Sequence, residues 1–196
     1  MKSIRLIGDV HGKVHQYSQI IAECPESICV GDFGFKREWD WITDNMPYQP
    51  HYIVMCNHDY HPYRNTHYNS LGIWQYTDQG IFTVAGANSV DKHLRTEGLD
   101  WFRDEELNVT EQLEAFDAYV RIKPEIVISH DCPQMVMEKF FGYTDKTSTR
   151  GMLQHMLDVH KPRLWVFGHH HKHRNELIGS TRFICLEELQ WIDINI

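Results

Sequence analysis

Five short apolar runs in this sequence each stop at side chains that bind metal ions. The polar clusters are Asp9-Val10-His11, Asp32, Asn57-His58-Asp59, His130-Asp131 and His169-His170-His171. Carboxylate, carboxamide and imidazole make a mixed oxygen–nitrogen donor set, which suits manganese, iron, zinc, nickel or cobalt better than calcium or magnesium. Each cluster alone has an ordinary explanation. A Gly-Asp after a strand is commonly a turn, and an Asn-His pair a turn with a solvated imidazole. All five in order along one chain predict a shared site for two divalent metal ions, with Lewis-acid activation and the making of a nucleophile from water as its chemistry. The histidine triplet is internal and directly follows an apolar run, unlike a purification tag.

A shared site needs elements that aim these loops at one place. Ser3–Gly8, Ser27–Gly31, Tyr52–Cys56, Glu125–Ser129 and Arg163–Phe167 read as buried strands, and each ends at one of the clusters. Between them, Val14–Cys24, Lys36–Met46, Thr110–Lys123 and Ser148–His160 have helical spacing, with Pro47 and Pro162 as stops. In the third of these helices Leu113, Phe116, Tyr119 and Val120 are expected on the packed face, behind a cap at Thr110. Ile73–Tyr76 and Ile81–Ala85 predict a hairpin, and Arg182–Leu186 a late strand. The alternation is that of a layered α/β domain, whose functional groups gather beyond the carboxyl ends of strands. Asp9 and His11 fall on one side if the backbone there is extended, as do His169 and His171. His170 then points away and is left out of the ligand set.

The bulk properties fit one globular domain over residues 1–196: 42% of residues are hydrophobic and 23% charged. No apolar run reaches the roughly 18 residues of a membrane-spanning helix, and no secretory signal opens the chain. A cytoplasmic protein without a membrane partner is expected. The five cysteines have no C-x-x-C pair and read as reduced thiols. The formal net charge of −8 argues against a long nucleic acid as partner, though not against a small nucleotide.

The order Gly8-Asp9-x-His11-Gly12, Gly31-Asp32, Asn57-His58-Asp59, His130 and Gly168-His169-x-His171 resembles the calcineurin-like metallophosphoesterase superfamily. Ala85–Lys92, with Arg95 and Trp101, is similar to its small phage and bacterial members. The resemblance implies an α/β/β/α sandwich of two mixed sheets flanked by helices, with the metal site at the carboxyl ends of strands. It implies that Asp9, His11, Asp32 and His171 hold one metal and that Asp32, Asn57, His130 and His169 hold the other, most often manganese. His58 matches the family's catalytic histidine, which does not ligate. The implied reaction is hydrolysis of a phosphate ester, by a phosphatase or a small-nucleotide phosphodiesterase. A bridging carboxylate holds ions about 3.5–4 Å apart for in-line displacement, and water between them yields hydroxide near neutral pH. A nearby imidazole can protonate the departing oxygen.

The sequence also departs from the family. Cys56 stands where many members have glycine before Asn-His. Phe35 and Lys36 stand where protein serine/threonine phosphatases carry an aspartate and an arginine, which argues against that activity. Lys36, Arg37, Arg64 and Arg95, with Lys92 and His93, are the candidates for substrate phosphate. Asp59 and Asp131 are candidates to orient a histidine. Tyr60, His61, Tyr63 and Tyr68 form an aromatic loop that would either stack a nucleobase or pack as a lid. A scaffold that kept the fold without catalysis is a further alternative, but it should have lost ligands, and none is missing.

Overall fold

The computed structural model describes residues 2–46 and 50–196. Two mixed sheets stack face to face. The first has the order β10-β1-β2-β3, built from β1 (Ser3–Ile7), β2 (Ser27–Cys29), β3 (His51–Ile53) and β10 (Trp191–Asn195). β1, β2 and β3 run parallel, and β10 closes the edge antiparallel with Ile4 opposite Ile194. The second has the order β4-β5-β6-β7-β9-β8, from β4 (Trp74–Tyr76), β5 (Ile81–Val84), β6 (Ile126–Ser129), β7 (Leu164–Phe167), β8 (Arg174–Ile178) and β9 (Thr181–Cys185). β5, β6, β7 and β9 are parallel, while β4 and β8 form antiparallel edges.

Strand periodicity explains the layers. Along β6, Ile126 and Ile128 point into the space between the sheets, where they meet Ile4, Leu6, Ile28 and Val54. Val127 points the other way, with Phe82, Trp165 and Phe183, toward α3 (Val109–Ile122), α4 (Gln134–Phe141) and α5 (Ser148–Val159). On the first sheet Ile7, Cys29 and Ile53 face outward against α1 (Val14–Ile21) and α2 (Lys36–Asn45). The result is the expected α/β/β/α sandwich. Strands buried on both faces read as continuous apolar runs, which is why the sequence displays them.

The helices differ in detail from the sequence reading. Asn108, not Thr110, caps α3: its side chain accepts from Thr110 N and Glu111 N, while Glu111 Oε2 accepts from Asn108 N. The packed face of α3 is Ala115, Ala118 and Tyr119 with the half-buried Phe116, so Phe116 and Tyr119 lie where expected, and Leu113 is exposed. The small alanines let the helix lie close on the sheet, a role that a search for bulky apolar residues overlooks. The stop expected at Pro47 lies outside the described residues, and α2 ends at Asn45. β8, β10 and α4 are elements that the sequence reading lacks. No helix among the described residues is long and apolar enough to cross a membrane.

Candidate metal centre

The loops leaving β1, β2, β3, β6 and β7 converge at one end of the sandwich. Two of them are stitched together: Val10 N and His11 N both donate to the Asp32 carbonyl, at 3.0 and 2.7 Å, and Gly12 N donates to the Phe33 carbonyl. One donor atom each from Asp9, His11, Asp32 and His171 lies within 4.8 Å of the others, and so does a second group of Asp32, His130 and His169. Asp32 belongs to both, and its two oxygens face opposite ways. Oδ2 lies 3.6 Å from His11 Nε2, and Oδ1 lies 3.3 Å from His130 Nε2.

The backbone reaches this convergence by another route than extended alternation. His11, Asp32, His169 and His171 have positive φ, at 47°, 46°, 68° and 49°. Left-handed backbone is costly for residues with a Cβ and concentrates at functional sites. Four of the expected ligands sit in it, so their side chains meet through tight turns. Two glycines make room for the turns. A Cβ on Gly168 would lie 2.2 Å from Asp9 Oδ1, and one on Gly31 would lie 2.2 Å from His130 Nδ1.

The donor atoms fit cations. Asn57 is buried, its Nδ2 donates to Ser89 Oγ at 3.2 Å, and its Oδ1 has no hydrogen-bond partner. Such an orphaned buried carbonyl is expensive unless something positive faces it. His130 Nδ1 lies 3.1 Å from the Val30 carbonyl; donating to it leaves the Nε2 lone pair facing the cluster. Ring nitrogens crowd together, His11 Nε2 to His171 Nε2 at 2.8 Å and His169 Nδ1 to His130 Nε2 at 3.2 Å. The carboxylates that would hold a cation attract a proton to the ring in its place. Burial alone would lower His130, but Asp32 and Asp9 outweigh it and push the imidazole up to about 10. Burial would raise Asp32, yet His130, then His58 and His11, hold it well below the usual carboxylate range. His169 falls to about 3, foremost through burial.

Cys56 lies beneath this cluster. Its thiol is 3.0 Å from Asp32 Oδ1 and 3.1 Å from Asp59 Oδ2, and burial pushes it well above the usual thiol range. Asp59 accepts from the Phe33, Gly34 and Cys56 amides, so it braces the loops and makes no bond to His58. Asp131 turns to His170 at 3.1 Å and to Arg150 at 2.8 Å. His170 Nε2 is thus engaged by Asp131, and one donor atom each from His170, Asp131 and His169 also lies within 4.8 Å of the others.

His58 stands at the rim, with its amide on Asp32 Oδ1 at 3.0 Å. Its Nε2 faces Arg95 Nη2 at 3.3 Å, and both oxygens of Asp91 hold that guanidinium. Burial lowers the His58 pKa, with Asp32 opposing and Arg95 adding to the fall. The rim divides an open cleft into two arms that share His11 and His58. The larger, of about 420 Å³, runs past Ser89, Met137, Tyr143, Asp145 and Arg150. The smaller, of about 240 Å³, is lined by Phe35, Arg37 and Arg95.

Of the four basic residues expected at substrate phosphate, the fold brings Arg37 and Arg95 to the cleft. Lys36 turns away to Asp40, its partner one helical turn on, and Arg64 is buried against Asp104. The aromatic loop is also elsewhere. His61 stacks on Phe102, Tyr60 packs edge-on to Tyr63, and neither Tyr60, His61, Tyr63 nor Tyr68 lines either arm. The sequence reading missed Tyr143, Asp145 and Arg150, which carry no local motif; the first two lie in the turn between α4 and α5 and Arg150 in the first turn of α5.

Fold and cluster together define a class: a two-sheet α/β sandwich with a candidate metal centre at its strand ends. The chain belongs to the calcineurin-like phosphoesterase family, whose model matches residues 2–173. No curated protein matches the sequence. Among solved structures, the phosphopantetheinyl hydrolase of Mycobacterium tuberculosis is similar with 13% identity and a TM-score of 0.50, over 95% of this chain and 90% of that one. A putative 5′-nucleotidase from Staphylococcus aureus is similar with 12% identity and a TM-score of 0.51, over 98% of this chain and 50% of its own. A predicted phosphoesterase from Streptococcus pneumoniae matches with 13% identity and a TM-score of 0.46, over 99% and 83% of the two chains. At these identities the likeness is one of fold.

Proposed function

We propose that this chain hydrolyses phosphate esters at a centre of two divalent metal ions. The observation that carries the reading is Asp32, whose oxygens face His11 and His130 on opposite sides. Asp9, His11, Asp32 and His171 would hold one ion, and Asp32, Asn57, His130 and His169 the other. The imidazole–oxygen set favours manganese, with iron, zinc, nickel or cobalt as substitutes. Bound there, two ions supply the charge that neutralises phosphoryl oxygens and acidifies water.

The chain's own groups do the rest. Arg95, fixed by Asp91, and Arg37 at the rim of the smaller arm bind the phosphate. His58 delivers a proton to the leaving oxygen from its Nε2, the nitrogen that Arg95 faces. Phe35, whose ring is 6.4 Å from that of His58, leaves no carboxylate where a protein serine/threonine phosphatase has one. That supports a phosphatase or small-nucleotide phosphodiesterase over a protein phosphatase. One core shared between the sheets supports reading 1–196 as a single domain, and five free cysteines support a cytoplasmic setting.

The test is a side-by-side assay of manganese-loaded protein on p-nitrophenyl phosphate, bis-p-nitrophenyl phosphate and cyclic nucleotides. Turnover of the monoester or the diester is expected, and the preference between them assigns phosphatase or phosphodiesterase. No turnover of any ester with both ions bound would leave a non-catalytic scaffold.

A further inference from the structure

We propose that the larger arm of the cleft is the binding site for the alcohol portion of the substrate, with Tyr143 and Asp145 as its specificity-determining residues. Its occupant is an uncharged, hydroxyl-bearing group with a flat apolar face, which is the chemistry of a nucleoside. The inference rests on the hydrolytic reading only for placing the phosphate at the metal cluster.

A preorganised acceptor is the first observation. Arg150 is 1% exposed and joins two carboxylates: Nε donates to Asp131 Oδ2 at 2.8 Å and Nη1 to Asp145 Oδ2 at 2.9 Å. Asp131 is itself held by Cys132 N at 2.8 Å and by His170 at 3.1 Å. The turn carrying Asp145 is thus pinned to the end of β6 behind the metal cluster by a buried cation. Among the described residues no protein group bonds Asp145 Oδ1, which leaves a fixed carboxylate oxygen for a hydroxyl or amine donor on the ligand.

The apolar surface of the same arm is the second. Tyr143 is 53% exposed and Val90 76%, and buried Met137 also lines the arm, although the cluster beside them is strongly polar. An exposed aromatic ring next to a fixed acceptor is the pairing that small-ligand sites use, a flat apolar contact with a few directional polar groups.

Charge selects among ligands. Among the described residues the Lys or Arg of this wall is Arg150, which Asp131 and Asp145 share, so the two carboxylates leave one negative charge in excess. A second phosphate on the alcohol would meet repulsion here, whereas the smaller arm has Arg37 and Arg95.

The experiment measures binding of adenosine, which carries no phosphate, to the full chain by calorimetry, with and without manganese. Tyr143→Ala and Asp145→Asn should each weaken binding about tenfold, and Tyr143→Phe should retain it, since stacking on a ring contributes about this factor. For AMP against p-nitrophenyl phosphate, the ratio of kcat/KM values should fall about tenfold in the first two variants. If p-nitrophenyl phosphate is turned over but adenosine does not bind, the inference is overturned and the hydrolytic reading stands. Binding that depends on Tyr143, without turnover of any ester, leaves the arm standing and removes the hydrolytic reading. Binding that neither substitution weakens places the nucleoside elsewhere and overturns the inference.

Discussion

Arg95 Nη2 lies 3.3 Å from His58 Nε2. Asp91 fixes that guanidinium through two short bonds, 2.8 Å to Nε and 2.7 Å to Nη2, and the Asp100 carbonyl accepts from Nη1 at 3.3 Å. The pair comes from the segment after β5, far in sequence from the position where the protein phosphatases carry their own aspartate and arginine. A cation beside the proposed proton donor disfavours its charged form until an anion arrives. A phosphate entering between them would accept a hydrogen bond from each, so in the proposed reaction Arg95 would link binding of the anion to readiness of His58.

Arg95→Ala should therefore raise KM for p-nitrophenyl phosphate about 10- to 100-fold, the loss expected for a hydrogen bond to a charged group. Arg95→Lys should recover only part of it, because an ammonium cannot reproduce the fork that Asp91 grips. Steady-state kinetics on the three proteins decide the matter; an unaltered KM in the alanine variant would remove Arg95 from the phosphate site.

Unlike His11, His130, His169 and His171, His58 has no place in a group of converging donor atoms. His58→Asn should lower kcat by about 10²–10⁴, the range for a lost general acid, while metal content per chain stays at the wild-type level. Emission spectroscopy of the dialysed protein supplies the second number. Loss of an ion in this variant would make His58 a ligand and would remove its assignment as proton donor.

How much of this was legible follows from where the information sits. The five strand ends were readable because each pairs a buried apolar run with an adjacent polar cluster, both local signals. β10 had a signal as well, since Trp191, Asp193 and Asn195 alternate with the half-buried Ile192 and Ile194. β8 had none: four of its five residues are exposed, and it is placed by pairing with β9. The turn conformations were hidden too. His11 and His171 face their partners through left-handed backbone, which at His11 is held by an amide bond to the Asp32 carbonyl, and spacing alone suggests an extended strand instead. Lys36 and Arg64 were read by proximity to motifs, but Asp40 and Asp104 claim them. Tyr143 and Arg150 reach the cleft only through tertiary packing.

Gly168 tests the backbone's share in the cluster. Its Cβ position is 2.2 Å from Asp9 Oδ1 and 2.9 Å from Val30 Cγ2, and its amide bonds the His130 carbonyl at 3.0 Å, so an added methyl can be accommodated only by moving the Asp9 or Val30 side chain. Gly168→Ala should displace Asp9 and weaken manganese binding at least about tenfold, comparable to losing a residue that supports a ligand. Titration calorimetry on chelator-treated protein measures this directly. Wild-type affinity in the variant would mean that Asp9 is dispensable for metal.

The segment that packs away from the cleft gives a prediction in pH. The His61 hydrogen bond at 3.0 Å, with Arg64 nearby, holds the Asp104 carboxyl down at about 2 against the opposing effect of partial burial. A carboxylate with a depressed folded-state pKa binds its proton more readily when unfolded, where it titrates near about 3.9. Its stabilisation is thus complete above about pH 4–5 and is lost as pH falls toward 2. Because the side chain is mostly exposed, solvent screening limits the amplitude to about 1 kcal/mol or less. Urea unfolding of wild type and Asp104→Asn should differ at pH 5. The difference should shrink between pH 4 and 2, and more weakly in high salt, which screens this pair. A difference that persisted at pH 2 would trace the effect to packing of His61 on Phe102 and not to the charge on Asp104.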